Sequence, residues 1–263
     1  MRNKTNNLEQ KKTNELVELF LNEETKTIQS LKQQKNNITK AIDLITRKIN
    51  SGGRVVYIGA GTSGRLAVLD AVECIPTFNS RSFVPVLAGG KKAMFKAQEG
   101  AEDDKKQAIK ELQKIKLNEN DILVGVSASG ETPYTVSALT FAKKRKINIV
   151  AITSNPTSTL AKLTSYKIVP LIKNEIIQGS SRLKSGTAQK IILNMLSSIS
   201  MIKLGKVYGN LMIDVRPTNK KLIKRAIGII STICNISFNK AKTLFSKSKR
   251  SIRTAIAMHY KNN

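Results

Sequence analysis

The chain has 263 residues and carries 45 Lys and Arg against 18 Asp and Glu, a formal charge of +27 at pH 7. Its 40% hydrophobic content can bury a core, yet no apolar run approaches the ~18 residues of a membrane span, so no membrane partner is expected. The cations are scattered among Asn and Ile, Trp is absent and aromatics are 5%, which excludes a basic stripe with stacking platforms; nucleic acid is not expected as a partner, and the cationic field suits a small anion instead.

The first residues, MRNKTNNLEQKKTNE, contain no apolar leader, so a cytosolic location is expected. Apolar residues then recur at helical spacing through Leu16, Phe20, Ile28, Leu31, Ile38, Ile42, Ile45 and Ile49, predicting two or three helices that stop at Ser51-Gly52-Gly53. Val55–Ile58 is a β-branched run that reads as a strand buried on both faces. Gly59-Ala60-Gly61-Thr62-Ser63-Gly64 follows and opens a helix over Arg65–Val72. Strand, glycine turn and helix start make an anion site, because glycine lets backbone approach a ligand and the helix N-terminus offers free N–H groups. The spacing is also that of a dinucleotide fingerprint, which requires an acidic residue about 20 residues on, at the end of the next strand. Glu73 comes too early for that, and the Thr62-Ser63 hydroxyls favour one compact phosphate monoester. The two cysteines, Cys74 and Cys234, are far apart and imply no disulfide framework.

Further on, Phe83–Leu87 is a second strand, Ala93–Ala97 and Ala108–Ile115 are helical, and Asp121–Val126 is a third strand. It runs into Ser127-Ala128-Ser129-Gly130-Glu131-Thr132-Pro133, a second hydroxyl-rich loop whose proline suits a first helical turn. A helix over Tyr134–Lys144, a strand at Ile147–Ile152, a turn at Thr153–Pro156 and a fifth strand at Lys167–Leu171 follow. Gly179–Lys190 gathers hydroxyls, glycines and cations before an apolar helix, Ile191–Leu204, and residues 218–263 read as helical. The alternation predicts an α/β fold: a doubly wound, parallel, five-stranded sheet preceded by N-terminal helices and followed by a small C-terminal helical module. Expected boundaries are 1–50, 51–217 and 218–263. Ligands of such sheets bind at the carboxyl ends of the strands, where both hydroxyl loops fall.

Six blocks carry a resemblance: YIGAGTSGRLAVLDAVECIPTF, EGAEDD after an AGG turn, VGVSASGETPY, ITSNP, GSSRLKSGTAQKIILNMLS and LGKVYGNLMIDVRPTN. In this order, over about residues 35–220, they resemble the N-acetylmuramic acid 6-phosphate etherases of the sugar isomerase (SIS) domain superfamily. The related glucokinase regulatory protein shares several of them. One departure stands out: Glu131 occupies a position where etherases usually carry Arg, although SxSGET is common in other SIS phosphosugar enzymes.

The resemblance implies a carbon–oxygen lyase that removes D-lactate from C3 of the sugar and leaves N-acetylglucosamine 6-phosphate, in cell-wall amino-sugar recycling. It implies Glu73 and Glu102 as the catalytic pair, and no metal or other cofactor is expected, since elimination next to a carbonyl needs only an acid and a base. For substrate and phosphate it implies Ser63, Ser127, Ser129 and Thr132 with Thr62 in support, and Ser180, Ser181, Arg182 and Lys184 as further contacts, reaching in from a neighbouring subunit of an expected homodimer. Turn formation and capping are the ordinary work of such hydroxyls, and both roles can coexist at a helix N-terminus. Two alternatives belong to other classes: a non-catalytic phosphosugar-sensing regulator, which would not need both glutamates, and a phosphosugar isomerase, toward which Glu131 leans but from which the remote sole histidine, His259, leans away.

Overall fold

A computed structural model describes residues 7–261. After a 3-10 turn at Leu8–Gln10 come α1 (Thr13–Gln33) and α2 (Lys35–Asn50), and then strands and helices alternate. They are β1 (Val55–Gly59), α3 (Gly61–Phe78), β2 (Phe83–Leu87), α4 (Gly90–Phe95), α5 (Lys105–Lys114), β3 (Ile122–Val126), α6 (Pro133–Lys144), β4 (Asn148–Ile152), the single turn α7 (Thr159–Lys162), β5 (Lys167–Ile168) and α8 (Lys184–Lys203). A minimal antiparallel pair, β6 (Val207–Tyr208) and β7 (Leu211–Met212), leads to α9 (Lys220–Cys234), α10 (Phe238–Lys247) and α11 (Ile252–Lys261). Among the described residues no helix is long and apolar enough to cross a membrane.

Strands β1 to β5 form one parallel sheet in the order β2-β1-β3-β4-β5, so the expected five-stranded, doubly wound sheet is present. The chain steps outward from β1 to β2 and then returns to the other side of β1 to make β3. With right-handed crossovers, that reversal puts successive helices on opposite faces and opens a crevice between the ends of β1 and β3. Val55, Val56, Tyr57 and Ile58 are fully buried, as are Ile122, Leu123 and Val124, which is why both strands read as unbroken apolar runs. Edge strand β2 carries Pro85, half-buried, in its middle.

Strand β5 and helix α8 differ from expectation in ways that bear on the site. Strand β5 is two residues long rather than five: the Val169 amide donates to Gln34 Oε1 at 3.0 Å, and Pro170 beyond it lacks the amide hydrogen a ladder needs. Helix α8 begins at Lys184, seven residues before Ile191, because the Glu175 carboxylate accepts the N–H groups of Lys184 and Ser185, both at 2.9 Å. A distant carboxylate thus starts a helix inside a stretch whose Gly and Ser content suggests a loop.

The chain divides into two compact units, one formed by residues up to Ala71 with Ser82–Ser197, the other by Val72–Arg81 with Ser198 onward. The first contains the sheet and its main core, in which Val56, Ile58, Leu112, Leu123, Leu139 and Ala151 are packed. The second has its own core, built on α9 to α11 from residues such as Ile230, Phe245, Ile252 and Ala255. In that unit Asp214 is held by Lys206 at 2.8 Å and Arg253 at 2.7 Å.

At the amino ends of the strands the first unit is riveted by one ion pair. Arg54 donates from Nη2 to Asp121 Oδ2 (2.7 Å) and from Nε to Oδ1 (3.1 Å), while the Arg54 and Asn118 amides also donate to that carboxylate. Burial would raise the Asp121 pKa, but these hydrogen bonds and the guanidinium charge outweigh it and hold the carboxyl below its ordinary value. A depressed folded pKa stabilises above the unfolded value of 3.8, and the stabilisation is lost as pH falls through the folded value. Asp121→Asn should therefore cost about 2–3 kcal/mol near neutral pH, and urea melts of the two proteins should converge as pH drops below that of an ordinary aspartate.

Candidate active site

Strand β1 ends at Gly59 and α3 begins two residues later, so the first loop is almost all glycine turn. Gly61 lies in the left-handed region at φ 54°. A Cβ on Gly64 would come within 2.5 Å of both the Gly59 carbonyl oxygen and Leu87 Cδ1, so only glycine lets α3 start flush against the strand. Thr62 and Ser63 consequently sit in the first turn of α3, beside amides that have no partner inside the helix.

The second loop is organised by Ser127, which is 3% exposed. Its Oγ accepts the Gly130 N–H (3.0 Å) and is hydrogen-bonded to the Thr132 hydroxyl (2.8 Å) and the Ser129 hydroxyl (3.3 Å). Ser129 Oγ in turn accepts the Glu131 N–H at 3.2 Å. Thr132 stands at the N-cap of α6 without capping it; the hydroxyl turns to Ser127 instead. Gly130 has φ 70°, and a Cβ there would lie 2.2 Å from Ser158 Oγ and 2.6 Å from Thr153 Oγ1.

Both loops open into one cavity of about 590 Å³ in the first unit, within the ~300–1,000 Å³ usual for small-molecule sites. Of the residues chosen from sequence, Thr62, Ser63, Glu102, Ser127, Ser129, Thr132 and Ser181 line it together. Ser154, Asn155 and Ser185 line it as well. The first two lie in the turn after β4, whose position at a strand's carboxyl end was the available signal; Ser185 was hidden by the unforeseen start of α8. Among the described lining residues there is no Lys or Arg, so an anion there meets hydroxyls, amides and the positive ends of α3 and α6 rather than an ion pair.

Ser180, Arg182 and Lys184 do not line the cavity. Lys184 is 4% exposed and donates to Glu23 Oε2 at 2.6 Å and to the Asn174 carbonyl at 2.8 Å, which makes it a tie between α1 and the start of α8. Burial works to raise Glu23, but hydrogen bonds and charge from Lys184 and Lys26 prevail and lower its pKa. Glu131, at the cavity rim, does not aim a free charge inward: its two oxygens accept from the Thr159 hydroxyl (2.7 Å) and amide (2.8 Å), bonds that lower its pKa. Glu73 does not line the cavity: it is exposed on α3, belongs to the second unit, and its carbonyl accepts the Thr77 hydroxyl.

A sheet of this order with two hydroxyl-rich loops meeting at its switch point defines a SIS-type α/β protein. Residues 37–143 match the glucokinase regulatory protein N-terminal SIS domain family, 101–199 the SIS domain family, and 209–258 the C-terminal lid domain of glucokinase regulatory protein. Solved structures of phosphoheptose isomerases from Francisella tularensis and Neisseria gonorrhoeae share the fold, with TM-scores of 0.57 and 0.56, 18% and 16% identity, and 72% of this chain and 98% of theirs covered in each case. Sequence relatives reach much further. An N-acetylmuramic acid 6-phosphate etherase from Staphylococcus epidermidis is 50% identical over 85% of this chain and 76% of its own, and one from Clostridium beijerinckii is 45% identical over 98% and 86%. The chain belongs to the N-acetylmuramic acid 6-phosphate etherase family, enzymes that cleave a carbon–oxygen ether bond.

Because Gly130 combines a left-handed backbone with contact on two hydroxyls, Gly130→Ala should unseat the Ser127 cluster. Thermal melts should show a loss of about 1–3 kcal/mol, and titration with inorganic phosphate should show weaker binding than for the unmodified chain.

Proposed function

We propose that the chain itself is an N-acetylmuramic acid 6-phosphate etherase, acting in the cytosol as a homodimer. The observation that carries this is the convergence of Ser63, Ser127, Ser129, Thr132 and Glu102 on one cavity, in a chain 45% identical to such an etherase over 98% of its length.

The 6-phosphate is assigned to the hydroxyl cradle of both loops, with Thr62 beside it. Hydroxyls and helix N-termini recognise a compact dianion by hydrogen-bond geometry, and no bound cation is required for that. A phosphate held there leaves the remainder of the sugar to extend along the cavity toward Glu102.

A plain ether resists hydrolysis because its leaving group is an alkoxide. In the ring-opened aldehyde the carbonyl acidifies the C2 proton, and the difficulty is bypassed. Glu102 is assigned as the base that takes that proton. The electron pair forms a C2–C3 double bond as the C3–O bond breaks, and Glu73 is assigned as the acid that protonates the departing lactyl oxygen. Water then adds at C3, the proton returns to C2, and N-acetylglucosamine 6-phosphate and D-lactate result. Two carboxyl groups with opposite starting protonation suffice for this sequence. Ser181 joins the assignment from within the same cavity, and Ser180 and Arg182 as contacts supplied across a dimer, whereas Lys184 is held by Glu23 and Asn174.

Incubation with N-acetylmuramic acid 6-phosphate should release D-lactate in amounts equal to the N-acetylglucosamine 6-phosphate formed. Glu73→Gln and Glu102→Gln should each lower kcat by about 10²–10⁴-fold, and Ser127→Ala should raise KM. Tight binding without release would make the chain a sensor, and conversion to a keto sugar would make it an isomerase.

A further inference from the structure

Glu102 has no helix or strand to hold it. It lies in the stretch between α4 and α5, just after Gly100, whose φ is 71°, and α5 starts only at Lys105, capped by Asp104. A base that must meet a C2 proton needs closer positioning than a turn of that kind provides, since displacements near 1 Å can cost ~10²-fold in rate.

The positioning comes from α6. The backbone N–H of Tyr134 donates to the Glu102 carbonyl at 2.9 Å, and Ser137 Oγ donates to the Lys105 carbonyl at 3.0 Å. Tyr134 follows Thr132 and Pro133 directly, so the same helical turn carries a hydroxyl of the cradle and the clamp on Glu102. The Tyr134 side chain adds a direct tie between that turn and α5. It is fully buried, does not line the cavity, and its phenol donates to the Glu111 carboxylate on α5. Burial first, and the adjacent Glu111 second, push the phenol pKa up, so it remains a protonated donor throughout the working range.

We propose that Tyr134 is a positioning residue: its hydrogen bond to Glu111 locks α6 to α5 and so sets the distance between Glu102 and the hydroxyl cradle. The phenol touches no substrate and acts only through the backbone it anchors. This rests on the role proposed above for Glu102.

The test compares Tyr134→Phe, Glu111→Leu, Glu111→Gln and the Tyr134→Phe/Glu111→Leu double variant, each with N-acetylmuramic acid 6-phosphate. Tyr134→Phe keeps the ring and removes only the donor. It should lower kcat by about tenfold or more with KM within about twofold. Glu111→Leu should match it, the double variant should fall no further, and Glu111→Gln, whose amide oxygen still accepts, should stay near the unmodified rate. Amide exchange in the peptide spanning 99–104 should speed up in Tyr134→Phe, a readout that does not depend on turnover. An unchanged kcat, an unchanged exchange rate, or additive losses in the double variant would overturn the proposal. Failure of the unmodified enzyme to release D-lactate would defeat the functional assignment and this proposal with it, whereas a normal Tyr134→Phe in an active enzyme defeats this proposal alone.

Discussion

The site depends on one register. Gly59 of β1 pairs with Val126 of β3, so the two strands end side by side and their loops start at the same height. Gly59 itself is hemmed in by the Val126 carbonyl and the Gly64 amide, each about 3 Å from where a Cβ would be. A slip of one residue would separate Thr62 and Ser63 from Ser127 and Thr132 and turn every side chain of the strand to the opposite face. Nothing in either loop could correct this, because both are short and tied to the strands that deliver them. The Arg54–Asp121 pair secures the same alignment from the opposite end of the strands.

Much of this was legible in the residues. The runs Val55–Ile58 and Ile122–Val126 carry no charged side chain because their strands are covered on both faces, and Pro133 marked the start of α6 because a first-turn residue needs no amide hydrogen. The hydroxyls of the two loops could be paired without coordinates, since a parallel sheet sends alternate loops to a single edge. What stayed hidden depended on contacts between residues far apart in the chain. Lys184 reads as a phosphate contact in GSSRLKSG and is instead bound to Glu23, 161 positions away. Glu131 reads as a departure from the etherase pattern and is used to hold Thr159. Tyr134 looks like one more core aromatic, and only the position of Glu111 separates it from the others.

Carboxylates in the first unit therefore divide into two kinds. Glu23, Glu131, Glu175 and Asp121 are consumed by amides, hydroxyls or cations of the chain itself. Glu175 is the clearest instance, since its carboxylate fills the amide-rich start of α8 and closes it to an incoming anion. Satisfying those sites internally leaves the starts of α3 and α6 as the free positive ends facing the cavity, and it leaves Glu102 as the carboxylate there without such an engagement among the hydrogen bonds of the described residues. The character of the cavity follows from subtraction as much as from the hydroxyls that were added.

Pro85 in β2 has a different bearing, on solubility. The strands of this sheet are short, flat-patterned and rich in Val and Ile, the composition that invites stacking into fibrils when an edge is open. One margin of the sheet is interrupted at mid-strand by an imino acid, and the opposite margin, β5, stops after two residues. A foreign strand approaching either side finds too few consecutive donors to zip onto. Many copies of so β-prone a core can thus stand side by side without their sheets merging.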